Sequence, residues 1–127
     1  MRSYTVAIAS LAILAPTRWT DNILSQFEIP DVISERRGVA RKLPHSAVVR
    51  LAIVRQLHME MGIGVREALH LTMELLRPGA DGVFETGQLR LGVDRAGVER
   101  MVNERLGHAL ESTPIRPRGR PPGKARI

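Results

Sequence analysis

The chain has 127 residues, 43% of them hydrophobic and 25% charged, which is length for one hydrophobic core and too little for two independent ones. It has no cysteine, which excludes disulfides, thiolate metal sites, cysteine nucleophiles and iron–sulfur clusters; its four histidines (His45, His58, His70, His108) lack the spacing of a zinc motif. The formal net charge of +6 is uneven: residues 114 to 127 hold five cations and no acid, and the stretch from Arg36 to Met59 holds six cations and no acid, a distribution that points to a polyanionic partner.

The apolar run from Tyr4 to Ala15, after Met1-Arg2, has the basic start and hydrophobic length of a signal peptide. Pro16 directly after Ala15, Ile13 two positions before it, and Ser3, Thr5 and Ser10 within the run argue against export, and the run is shorter than the ~20 apolar residues needed to span a bilayer. A cytoplasmic protein with no membrane partner is expected. The same run predicts a short first helix, with Val6, Ala9, Leu11, Ala12 and Leu14 as its apolar positions, ended by Pro16. Thr17 is the expected cap of a second helix, Arg18 to Phe27, in which Trp19, Ile23, Leu24 and Phe27 repeat at helical spacing.

From Val32 to Pro44 the pattern is that of a hairpin with a charged tip. Ser46 to Met61 then carries Ala47, Leu51, Val54, His58 and Met61 on one helical stripe, broken by Gly62-Ile63-Gly64, and Val65 to Leu76 carries Val65, Leu69, Thr72, Met73 and Leu76 on another, stopped by Pro78-Gly79. Alternation at Leu89, Leu91 and Val93 around a Thr86-Gly87 turn predicts a second hairpin. Asp94 is the expected cap of a last helix striped with Val98, Met101, Val102, Leu106, Ala109 and Leu110. After Ser112, four prolines and two glycines in a basic stretch predict disorder in isolation.

Two short helices, a basic hairpin, and two helices joined by a glycine-rich corner is an order that resembles the MerR-type winged helix-turn-helix. Arg36–Pro44 (RRGVARKLP) resembles that family's basic wing, and Val48–Leu71 (VVRLAIVRQLHMEMGIGVREALHL) is similar to its two following helices, with Leu51, Ile53, Leu57, Gly62, Val65 and Ala68 at the family's apolar and glycine positions. The resemblance covers residues 4 to 76. It departs from the pattern in TRWTDNILSQF, which replaces the family's LRYYE-like run, and at Leu43-Pro44, where an aromatic residue is expected.

The resemblance implies a mainly α fold with a short β-hairpin wing, a winged helix-turn-helix over residues 1–77, a hairpin and amphipathic helix over 78–112, and a disordered tail over 113–127. It implies major-groove reading by Thr17, Arg18, Thr20 and Asn22 on the second helix and backbone contacts from Arg36, Arg37, Arg41 and Lys42 on the wing. It also implies a homodimer through residues 94 to 111, whereas the residues alone allow that helix to fold back on Leu69, Met73 and Leu76. Trp19 reads as core, and Arg50 and Arg55 as a solvated helix face.

Within the tail, RPRGRPPGK resembles the AT-hook, with Arg118-Gly119-Arg120-Pro121 as its core. Gly119 would let the extended backbone lie on the floor of a narrow minor groove while Arg118 and Arg120 point along it, an A·T-rich preference. The expected function is transcriptional regulation through double-stranded DNA, by a nucleoid-associated protein without cofactor, metal or catalytic residues. An architectural DNA-bending protein and a protein-interaction adaptor are the alternatives. No acid pair, nucleophile–base spacing or phosphate loop suggests an enzyme.

Overall fold

The computed structural model describes residues 2–32 and 41–112. Among these residues the protein is mainly helical, with five helices and two small two-stranded antiparallel sheets. β1 (Ser3–Tyr4) leads into α1 (Val6–Ala12) and α2 (Thr17–Gln26); β2 (Leu43–Pro44) leads into α3 (His45–Met61) and α4 (Val65–Leu75); the hairpin of β3 (Val83–Thr86) and β4 (Leu89–Gly92) leads into α5 (Arg95–Ser112). No helix among the described residues is long and apolar enough to cross a membrane.

The N-terminal run is a structural part of the core. Thr5 caps α1 by accepting the Ile8 amide at 3.2 Å, and Ile8, Ala9, Ala12 and Ile13 are buried. The end of α1 is a Schellman motif: the Ala15 amide donates to the Ser10 carbonyl and the Leu14 amide to the Leu11 carbonyl, with Leu14 left-handed at φ 57. That position favours glycine, so a leucine there stores backbone strain on the order of 1 kcal/mol. Pro16 then begins α2 directly.

Expected and observed helices differ in informative ways. Thr17 is the first residue of α2 and not its cap: Pro16 holds the cap position, with no side-chain cap. In α3, Ala47, Val48, Val49, Leu51, Ala52, Ile53, Val54 and Leu57 are all buried, so this helix lies inside the molecule instead of presenting one stripe, and Met61, expected on that stripe, is 60% exposed. The buried face of α4 is Ala68, Thr72 and Leu75, whereas Met73 is 53% exposed, because α4 meets α3 one position away from the expected stripe. Gly62, left-handed at φ 69, ends α3 as its sequence implies.

Leu43–Pro44, the described end of the expected wing hairpin, pairs with Ser3–Tyr4, a partner about forty residues away that local pattern could not indicate. The rest of that segment, 33–40, lies outside the described residues, as does the tail expected to be disordered. The second hairpin forms as expected, with Thr86 opposite Leu89. Asp94 caps α5, its Oδ1 accepting the Gly97 amide at 3.0 Å.

The α5 stripe finds its partner within the chain. Val98, Val102, Leu106 and Ala109 are buried, and α5 packs chiefly on α1 and α3 rather than on α4. Those four residues are covered within the chain, while Met101 and Leu110 of the same stripe are half-buried. Two predictions follow from this packing. Leu106→Ala lowers the free energy of unfolding by about 2 to 5 kcal/mol in denaturant titration, the cost of a truncated core leucine, and does so independently of protein concentration. Leu14→Gly raises it by up to ~1 kcal/mol by relieving the left-handed leucine; a loss instead would mean that the Leu14 side chain contributes more than its backbone costs.

Candidate nucleic-acid interface

The element that positions the expected reading residues is α2, which is amphipathic and clamped to α1. Thr20 and Ile23 point inward, and the Ser10 hydroxyl donates to Thr20 Oγ1 at 2.7 Å inside the contact. Both hydroxyls are out of water, with Ser10 1% and Thr20 0% exposed. Thr20 is thus corrected from a base-reading residue to a buried polar tie between the two helices; only tertiary packing decides which side of a threonine-rich turn faces the core.

Thr17, Arg18 and Asn22 remain on the exposed side of α2, Arg18 and Asn22 one turn apart. Because Pro16 supplies no side-chain cap, the first amides of α2 open toward solvent, where the helix dipole favours an anion. Arg41 lies against the middle of this helix. Its Nη1 donates to Asp21 Oδ1 at 3.3 Å and its Nη2 to Ser25 Oγ at 3.2 Å. This guanidinium ties the chain before β2 to α2 and offsets the acid on the exposed side of that helix. Lys42, beside it, is exposed. Arg36 and Arg37, and the AT-hook-like Arg118, Gly119, Arg120 and Pro121, lie outside the described residues.

Two arginines that the sequence reading did not place in a site form stacked contacts. Arg66, in the first turn of α4, sits 5.2 Å over the ring of Phe27, the residue that ends α2. Arg55, expected on a solvated face, lies 4.9 Å over Trp19 and donates to the Leu14 carbonyl at 3.2 Å. It therefore braces the strained corner between α1 and α2. Trp19 is half-buried, with the His58 ring 6.3 Å away, and His58 Nδ1 donates to the Ile63 carbonyl at 2.8 Å across the α3–α4 corner. Arg50 is half-buried, its Nε without a hydrogen-bond partner among the described residues.

The histidines are dispersed among these contacts: His45 Nε2 donates to Asn103 Oδ1 at 2.6 Å, joining α3 to α5, and His70 and His108 are exposed. What the arrangement offers chemically is exposed hydrogen-bond donors on the outward side of α2, in Thr17, Arg18 and Asn22, with the Arg41–Asp21 ion pair at its middle. No protein-family model, curated protein or solved structure matches this chain.

The brace at Trp19 is directly measurable, because Trp19 is the single tryptophan. Arg55→Ala removes a cation–π contact and a hydrogen bond to a backbone carbonyl, so it lowers stability by about 1 to 2 kcal/mol and shifts the tryptophan emission to the red. Unchanged emission and stability in that variant would show that Arg55 adds nothing to the corner.

Proposed function

We propose that this protein is a duplex-DNA-binding transcriptional regulator of the winged helix-turn-helix type. The observation that carries the reading is the division of α2: Thr20 and Ile23 anchor it on the core, while Thr17, Arg18 and Asn22 stand exposed beside Lys42 and the Arg41–Asp21 pair. A helix so anchored enters a major groove with its N-terminal residues first, its free amides holding a phosphate and Arg18 and Asn22 reaching base edges. Lys42, Arg66 and the basic segment at Arg36 and Arg37 contact the flanking backbone. The pairing of Leu43–Pro44 with Ser3–Tyr4 ties the strand before α1 to the strand before α3. The basic tail adds a minor-groove contact through Arg118 and Arg120, with Gly119 allowing close approach.

Footprinting of the full chain on genomic DNA fragments tests the reading. Short, discrete protected sites are expected of a regulator. Extended protection of A·T-rich DNA would indicate an architectural protein, and weak duplex binding insensitive to salt would indicate an adaptor with no nucleic-acid role.

Two substitutions sharpen the assignment. Lys42→Ala weakens duplex binding and flattens the log–log salt dependence by about 1, as loss of one phosphate contact requires, whereas Arg18→Ala lowers discrimination between DNA sites, as loss of a base-edge contact requires; an unchanged slope in the first and unchanged discrimination in the second would place this side of α2 away from DNA. Arg118→Ala with Arg120→Ala lowers affinity for A·T-rich duplexes far more than for G·C-rich ones at matched salt, because a narrow minor groove concentrates the negative potential. Equal losses on both duplexes, read by fluorescence anisotropy, would reduce the tail to a general polyanion binder.

A further inference from the structure

Away from α2, the C-terminal half of α3, strand β4 and the first turn of α5 enclose a groove of about 580 Å³. That volume is the size of a small-molecule site, typically about 300 to 1,000 Å³. Its walls are apolar, formed by Leu57, Met61, Leu75, Leu91, Val98 and Met101. Met61 is 60% exposed, and methionine side chains are unbranched and polarizable, so this wall can adapt to the shape of an occupant.

The charged lining is of one sign. Glu60 and Asp94 border the groove beside the neutral Gln56, and among the described residues no lysine, arginine or histidine does, in a chain whose net charge is +6. Neither carboxylate has a cation within 4 Å among the described residues. Glu60 stands between this groove and a neighbouring recess lined by Arg55 and Arg105 without pairing to either. Asp94 is fixed in place by its cap bond to the Gly97 amide, and Gly97 keeps the space beside it open, since a Cβ there would meet Asp94 Oδ2.

We propose that this groove binds an amphipathic organic cation, its apolar body against the methionine and leucine walls and its ammonium group on Glu60 and Asp94. An anion is disfavoured by both carboxylates. A neutral molecule of the same shape covers them without replacing the water it removes. The proposal does not rest on DNA binding, and it predicts a selectivity opposite to that of the protein's net charge.

The test is calorimetry of the full chain, without DNA, against benzyltriethylammonium, neutral N-benzylpropanamide and anionic phenylmethanesulfonate. The cation is expected to bind one per chain, at least tenfold more tightly than the other two. Glu60→Gln with Asp94→Asn is expected to weaken the cation at least tenfold while leaving the thermal midpoint nearly unchanged, because asparagine also caps helices. In the methyl spectrum of ¹³C-methionine protein, Met61 and Met101 should shift on titration and Met73 should not. Equal affinity for the three probes, no saturable binding of the cation up to about 10 mM, retained affinity in the double variant, or shifts centred on Met73 would each overturn the proposal.

Discussion

A helix buried around its circumference over most of its length leaves a chain of this length few ways to fold, and α3 is such a helix between Ala47 and Leu57. Eight of its residues between Ala47 and Leu57 are buried, distributed around its whole circumference, so apolar surface must be supplied from several directions at once. α4 covers one side, α1 and α5 others, and β2 its approach. The order of the remaining elements follows from that demand. α5 returns from the far end of the sequence to close the core because Val98, Val102, Leu106 and Ala109 match the surface that α1 and α3 leave open.

The α1–α2 corner is the second constraint, and it is held by polar contacts instead of by apolar area. The two helices are short, and isolated helices of such length are marginal. Their geometry is fixed by the Schellman turn through Leu14, the buried Ser10–Thr20 hydrogen bond and the Arg55 guanidinium spanning Trp19 and the Leu14 carbonyl. A buried hydroxyl pair is costly unless satisfied, so the Ser10–Thr20 contact specifies one register between α1 and α2 more strictly than leucine contacts would. That rigidity leaves the outward side of α2 free to carry polar residues, since little of the helix is needed for the core.

Charge is arranged around this frame with some economy. Asp21, the acid on the exposed side of α2, is matched by Arg41 at 3.3 Å, and Arg66 is held over Phe27 at the helix end. Both contacts are partly exposed and add little stability. Their consequence is positional: they keep cations beside α2 at defined places. On the side bordered by Glu60 and Asp94 the sign is reversed, so a chain of net positive charge presents two surfaces of different chemistry.

The elements themselves were legible in the sequence because the signals that start and stop them act within a few residues. Pro16, Gly62 and Asp94 each act through their own backbone or an adjacent turn, and the helix and hairpin bounds follow them closely. What only the tertiary structure decided is which side of each element is inside. Thr20 is buried because Ser10 faces it, α4 turns Ala68, Thr72 and Leu75 inward against α3, and Leu43–Pro44 pairs with Ser3–Tyr4. These are choices among sides that periodicity leaves nearly equivalent, and contacts between distant segments settle them; His45 and Asn103, 58 positions apart, meet for the same reason.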